Sequence, residues 1–286
     1  MKNKVLLSLV LLLALMLTVS SCSSGSADGA TDSITIFAGG QENQVVFVSQ
    51  KEMKAWKKPL KNFLSGMDME NELGLYAMAL LDVNCDGVPE VLKVFSGGSA
   101  GNVGFEIYDL YSGDEIDYFQ GGWYGSSHEG DWMTYLNAGD RTLSVIGQYN
   151  QRYGAPESTQ FTVQLSIPSE PDENGKINCE ETIATVTEYI RQVSGGTDQN
   201  GYPVTDFIKT VAYIFRGEEI QQDDFNDRMN ALWQDNVRIP GTEPIIVRWS
   251  ACPGDTQSER AAQMAEALLA TGQRFVKEVR YPGNPS

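Results

Sequence analysis

The sequence predicts an α+β fold, a mainly antiparallel β meander with a few packed helices. β-branched and aromatic runs alternate with short turn segments from residue 73 to 120, and such short connections join antiparallel neighbours. Two later segments place apolar residues at helical spacing, the second of them behind a polar cap. No repeat period is visible, which argues against a complete propeller. We expect the helices to pack on one side of the sheet, with an αβ segment at the C-terminal end.

The globular part is predicted to begin near Ser33. Strands at 34–37 and 45–48 flank Gly39 and Gly40, which indicates a hairpin. Ser49 followed by Glu52 is a capping-box pattern and predicts a helix. The apolar residues of this helix recur on one side, and a kink or break is expected near Pro59, which lacks a backbone N–H. The predicted buried positions are Met53, Trp56, Leu60, Phe63 and Leu64.

The rest of the chain is read as strands and two more helices. Residues 182–192 are ambiguous between helix and strand, and their Thr, Val, Ile and Tyr content favours a strand. Helices are predicted at 223–234 and at 257–269, the second capped by Asp255 or Thr256. The other predicted strands are 73–81, 91–95, 103–111, 115–120, 132–136, 142–148, 158–167, 207–215, 219–220, 245–249 and 275–281.

The N-terminal residues have the features of an export signal. Lys2 and Lys4 precede an apolar stretch from residue 5 to 19, which is short for a membrane span and ends in Val19-Ser20-Ser21-Cys22. This pattern resembles a bacterial lipoprotein signal, which implies cleavage before Cys22 and a lipid on its thiol. The expected organisation is a signal peptide at 1–21, a flexible tether at 22–32 and a globular domain at 33–286, with a candidate subdivision near 194–203. An ordinary secretory leader and an uncleaved anchor are the alternatives.

Charge and cysteine content restrict the partners. The net charge is −17, and it becomes −19 without residues 1–21 because that segment holds two lysines and no acid. Such an acidic protein repels phosphate backbones and anionic lipid, so nucleic acid is not an expected partner. With Cys22 lipidated, the remaining cysteines are Cys85, Cys179 and Cys252, for which we expect free thiols or one bridge. The expected location is the extracytoplasmic face of the cell membrane, held by the lipid on Cys22.

The segment from residue 80 to 92 carries the most specific chemical pattern. Asp82, Asn84 and Asp86 present side-chain oxygens at alternate positions, and Gly87 follows them between two apolar runs. Calcium takes six to eight oxygens at about 2.3–2.6 Å from carboxylates, amides, carbonyls and water. Gly87 would allow a sharp turn that directs the carbonyl of Val88 inward, and Glu90 would supply a further carboxylate. The sequence therefore predicts a structural Ca²⁺ site on a β-hairpin.

The spacing D-x-N-x-D-G-x-x-E resembles the short calcium loops of integrin-type FG-GAP repeats. It also looks like a segment of secreted bacterial lipoproteins of unassigned function, and the resemblance covers residues 73–120. It implies a calcium-stabilised hairpin and does not imply an enzyme. An EF-hand is excluded because its twelfth position, a glutamate, is Lys93 here. The alternative is a solvated turn, since Asp, Asn and Gly also suit tight hairpins.

Enzymatic patterns are weaker. Residues 97–101 match the G-x-S-x-G motif of serine hydrolases, but an extended segment follows where the motif needs a helix. His128 is the single histidine, so histidine-based metal sites are ruled out. The sequence thus favours a non-catalytic surface or ligand-binding protein.

A cluster of aromatic residues suggests a second function. Trp123, Tyr124 and Trp132 surround a Gly/Ser-rich loop and could stack on sugar rings, although aromatic residues at strand ends more often pack in a core. The alternative function is therefore a glycan-binding or glycan-degrading surface protein. A protein partner leaves no readable signature.

Overall fold

The computed structural model describes residues 32–67, 75–97, 102–123, 132–152, 157–168, 170, 177–197, 199–200 and 203–282. Residues from Thr31 to Ser286 form one compact unit. Within the described residues no helix is both long and apolar enough to cross a membrane. The predicted signal peptide, Cys22 and most of the predicted tether lie outside the described residues.

Three antiparallel sheets build the fold, which confirms the predicted class. Strands β1 (Ser33–Ala38) and β2 (Gln41–Phe47) form a hairpin that continues to β15 (Val276–Arg280). A five-stranded sheet contains β3 (Leu75–Leu81), β4 (Glu90–Gly97), β5 (Asn102–Tyr108) and β6 (Glu115–Trp123) in chain order, with β14 (Val247–Arg248) beside β3. These four strands are the predicted meander.

The third sheet has seven strands, which are β7 (Met133–Asn137), β8 (Leu143–Arg152), β9 (Glu157–Leu165), β10 (Glu180–Thr197), β11 (Pro203–Phe215), β12 (Glu218–Ile220) and β13 (Asn236–Arg238). Their order in the sheet is β12-β11-β10-β9-β8-β7-β13. The ambiguous segment 182–192 is strand, as predicted. Thr197 pairs with Pro203, so residues 194–203 lie at the end of the β10–β11 hairpin.

The first predicted helix is composite. It begins with α1 (Gln50–Met53), passes through a 3-10 turn (Lys54–Trp56) and continues as α2 (Lys57–Gly66). Ser49 and Glu52 form the predicted capping box, because Ser49 Oγ accepts from Glu52 N and Ser49 N donates to Glu52 Oε2 at 2.8 Å. The irregular turn precedes Pro59, which lies inside α2 and has no N–H to donate to the carbonyl of Ala55.

Two helices follow in the C-terminal part. α3 (Gln222–Asp235) and α4 (Gln257–Leu269) occupy the predicted positions. Thr256 caps α4 in a second capping box with Glu259. The predicted strand at 245–249 was too long, because only Val247 and Arg248 pair with β3 and a 3-10 turn (Trp249–Ala251) follows at once.

The core is layered. One face of the five-stranded sheet packs against α1, α2 and α4, and its opposite face packs against the seven-stranded sheet. α3 covers the other face of the seven-stranded sheet through Phe225 and partly buried Met229 and Leu232. The expectation that all helices lie on one side was wrong, because the five- and the seven-stranded sheet each have an apolar outer face that must be removed from water.

Candidate metal centre

The predicted calcium loop is the connection between β3 and β4. Leu81 pairs with Glu90, so the residues from Asp82 to Pro89 form a loop closed at its base by a strand pair. β3 and β4 are interior strands of their sheet, between β14 and β5. The loop therefore starts from a rigid base.

The tip of the loop is folded around Asp82 by hydrogen bonds to its carboxylate. Asp82 Oδ1 accepts from Asp86 N at 3.0 Å, and Oδ2 accepts from Gly87 N at 2.9 Å. Cys85 and Gly87 adopt positive φ angles of 57° and 84°. This left-handed backbone turns successive N–H groups inward, and glycine adopts it without a Cβ clash.

Asn84 and Asp86 order the exposed side of the loop. Asn84 Oδ1 accepts from Asp86 N at 3.1 Å, and Asp86 Oδ1 accepts from Val88 N at 2.8 Å. Asn84 Nδ2 donates to Asp86 Oδ2 at 3.2 Å. Both side chains are exposed, whereas Val88 is half-buried. The alternating oxygens thus bind the loop's own amides in Asx-type turns.

Glu90 closes the loop from β4. Its Oε2 accepts from Val83 N at 2.7 Å, and the side chain is as buried as Asp82, each residue being 5% exposed. Val83 is buried between the two large sheets. The two ends of the loop are therefore joined by a carboxylate–amide bond as well as by the strand pair.

The structure describes no cationic partner for the carboxylates of this loop. Within the described residues, neither Asp82 nor Glu90 forms an ion pair. Burial raises the pKa of Asp82 to about 7, and its proximity to Asp86 adds to the shift. Burial likewise raises the pKa of Glu90 to about 8, with Asp82 contributing repulsion. Two buried carboxyl groups side by side favour either protonation or a bound cation.

The donor set fits calcium in chemistry, but it is not gathered into a ready coordination shell. All side-chain donors are oxygens, which suit a hard cation. Across the part of the chain that the structure describes, no group of three or more His, Cys, Asp or Glu side chains is placed to hold a metal ion. Asp82, Asp86 and Glu90 would have to redirect oxygens from backbone amides toward an ion.

The thiol in the loop, that of Cys85, lies in surroundings that disfavour the thiolate. Cys85 Sγ donates to the Asp82 carbonyl at 3.8 Å, and burial together with the nearby carboxylates raises the pKa of the Cys85 thiol well above its ordinary value. Burial also raises the pKa of Cys179 to about 12. Cys85, Cys179 and Cys252 are all free thiols.

Of the three aromatic residues expected to bind sugars, the structure describes the side chain of Trp132 alone. Trp132 is fully buried in the core between the sheets, where its ring centroid lies 6.3 Å from that of Tyr149. Its indole fills the core and is therefore unavailable for stacking on a ligand. Trp123 ends β6, and nothing is described of its side chain. Tyr124, His128 and residues 98–101 lie outside the described residues.

One buried polar group was not foreseen in the sequence. Lys93 on β4 is 5% exposed, and its Nζ lies 2.9 Å from Glu106 Oε2 on β5. Tyr108 Oη donates to Glu106 at 2.6 Å. In the sequence, a lysine within the apolar run Val91-Leu92-Lys93-Val94 was the available sign of a buried charge. Its partner could be known only from the strand register, in which Lys93 faces Glu106.

Comparison with known proteins adds no functional information, because no family model, curated protein or solved structure matches this chain.

Proposed function

We propose that this chain is a lipid-anchored, extracytoplasmic protein with a non-catalytic surface or ligand-binding role, whose β3–β4 loop binds a structural calcium ion. The observation that supports the calcium site is the pair of buried carboxylates, Asp82 in the loop and Glu90 at its base, neither of which forms an ion pair within the described residues. A Ca²⁺ ion would supply the missing positive charge. Asp82, Asn84, Asp86 and Glu90 would hold it by their side chains and Val88 by its carbonyl.

The role of such an ion is to stabilise the loop. The loop joins two interior strands whose faces contact both the helical layer and the seven-stranded sheet. A cation that neutralises the carboxylates removes their repulsion and the cost of burying them unpaired. Binding to the folded state alone adds about 2.7 kcal/mol when the ion is present at a hundred times its dissociation constant.

The test is thermal unfolding of the chain in excess chelator and then in millimolar Ca²⁺. We expect a rise of about 5–10 °C, since 1 kcal/mol shifts the midpoint by about 2–4 °C at this size. Asp86→Asn keeps the shape and an oxygen acceptor but removes one charge, so it should reduce the rise. Mg²⁺ should be a poor substitute because it requires a tighter octahedral shell.

Asp109→Asn is the matched control. Asp109 Oδ1 also accepts two backbone N–H groups in a strand connection, from Tyr111 at 2.9 Å and Ser112 at 2.6 Å. This substitution should leave the calcium response intact. If the wild-type unfolding midpoint is the same in chelator and in calcium, the loop is an acidic turn without a calcium site.

The membrane anchor is tested separately. The lipoprotein-like pattern ending at Cys22 supports it, and Cys22→Ala should release the protein from the membrane fraction. Retention of the Cys22→Ala chain by an uncleaved apolar segment would contradict lipidation as the means of attachment.

A further inference from the structure

A stripe of lysines follows the outer face of the composite helix α1–α2. Residues 51–61 contain five of the 21 Lys and Arg residues in a chain of net charge −17. Four of them, at spacings of three, four and three residues, share one helical face. We name Lys51, Lys54, Lys58 and Lys61 the lysine stripe, and all four are exposed.

The packing of the helix fixes the direction of this stripe. Met53, Trp56, Leu60 and Leu64 are buried against the five-stranded sheet and α4. At about 100° per residue, the stripe is centred roughly 135° around the helix from this buried set and so faces away from the core. The lysine side chains therefore project away from the body along about 15 Å of helix.

The stripe is not neutralised by the rest of the described structure. Lys57, which lies beside it, pairs with Glu266, but none of the four stripe lysines forms an ion pair with another described residue. Glu52 is the single acid in residues 50–66, and it pairs with Lys277 at 2.5 Å. Like charges three and four residues apart destabilise a helix slightly, so an external anion would stabilise this face.

The stripe lies near the point where the N-terminal part of the chain enters the folded body, and this position indicates which anion would bind it. Phe47 N donates to the carbonyl of Asp32 at 2.8 Å, and Ser33 pairs with Val46. The polypeptide from the predicted tether therefore reaches the body next to the end of β2, and α1 begins at Gln50, three residues after Phe47. The ten residues between Cys22 and Ser33 span at most about 35 Å.

We propose that the lysine stripe docks the body onto the anionic phospholipid surface of the membrane that holds the chain. Basic residues at an anionic surface gain affinity individually, whereas the acidic remainder of the body is repelled by it. The stripe would thus set the orientation of the protein, with α1–α2 toward the lipid headgroups. This inference rests on the membrane anchoring proposed above for its geometry, but not on the calcium site.

The experiment measures lysine accessibility on membranes. The full chain, purified from membranes, is reconstituted in vesicles of phosphatidylcholine alone or of equal parts phosphatidylcholine and phosphatidylglycerol. Amine-reactive labelling is then read for each lysine by mass spectrometry. Labelling of the stripe should fall severalfold on the mixed vesicles and recover in high salt, because screening shortens the reach of the charges. Lys209 on β11 should label equally in both.

Two variants with the same change in charge separate position from net charge. Lys54→Gln/Lys58→Gln should reduce the protection of Lys51 and Lys61 by about fivefold for each lysine removed. Arg191→Gln/Lys209→Gln, on the β10–β11 hairpin, should leave that protection unchanged. Equal loss in both variants would overturn a site-specific role for the stripe.

Flotation of the same samples distinguishes this inference from the anchor. A chain that floats with both vesicles but shows equal labelling of the stripe would overturn docking and leave the anchor in place. Flotation only with mixed vesicles, lost in Lys54→Gln/Lys58→Gln, would support docking and contradict the anchor. A chain that floats with neither type of vesicle would overturn both the docking and the anchor. Protection of the stripe by soluble polyphosphate but not by mixed vesicles would also overturn membrane docking and would indicate an anionic polymer as the partner.

Discussion

Replacing Gly87 with alanine should destabilise the protein more than the same replacement at Gly40. Both glycines have left-handed backbones, with φ of 84° and 74°. An alanine there costs about 1–2 kcal/mol of conformational energy at either position. The two sites differ in what an added methyl group would meet.

At Gly87 the new Cβ would lie 3.2 Å from the carbonyl oxygen of Val276 and 3.4 Å from Lys277 Cα, both backbone atoms of β15. At Gly40 nothing lies within 4 Å. Crowding against a paired strand adds about 1–3 kcal/mol, so the Gly87 variant should lose about 2–5 kcal/mol in total. The Gly40 variant should lose only the conformational part.

Urea unfolding in excess chelator measures both losses without any contribution from a bound ion. The difference between the two variants then reports the contact between the β3–β4 loop and β15. Equal losses, or a larger loss for Gly40→Ala, would refute the close packing of the loop on which this comparison depends.

Two further predictions concern the loop charges and the core. Because the pKa values of Asp82 and Glu90 are raised in the fold, the folded state binds more protons than the unfolded chain between about pH 4 and 8. Urea unfolding in chelator should therefore show that the contribution of these two groups to the free energy of unfolding increases as the pH falls through 8 and 7, with a smaller slope in Glu90→Gln. The stabilisation by calcium should be larger at pH 8 than at pH 5.5. The opposite order would contradict the raised pKa values. Gly147→Ala should cost about 1–3 kcal/mol or more in the same assay, because its Cβ would lie 2.2 Å from buried Trp132. Gly66→Ala has no atom within 4 Å of its Cβ and should be neutral or stabilising, so similar losses in the two variants would count against the packing of Trp132 over β8.

The elements that local patterns specify were predictable. α4 begins and ends where its cap and apolar spacing indicate, and β11 and β12 include the predicted strands at 207–215 and 219–220. The β3–β4 loop was predictable because alternating Asp, Asn and Asp side chains serve their own backbone amides within seven residues. These are short-range interactions, so the information lies in neighbouring residues.

The errors have a common cause. Trp132 was a candidate ligand-stacking residue, but the glycine that receives its indole, Gly147, comes from the adjacent strand β8. Likewise, Lys93 has its partner on β5. In each case the deciding contact joins residues on different strands, and no pattern of neighbouring residues in the sequence indicates it.

The amino-acid sequence by itself determined the class of fold, the capped helices and the spacing of oxygens in the β3–β4 loop, because propensity, capping and turn formation act over a few residues. Only the tertiary structure decided that Asp82 and Glu90 are buried together and that helices cover the outer faces of both the five- and the seven-stranded sheet. It also decided that the lysine stripe lies near the point where the N-terminal part of the chain enters the folded body. Burial and proximity depend on which faces meet when the sheets pack, and that packing is driven by removing apolar surface from water across the whole chain.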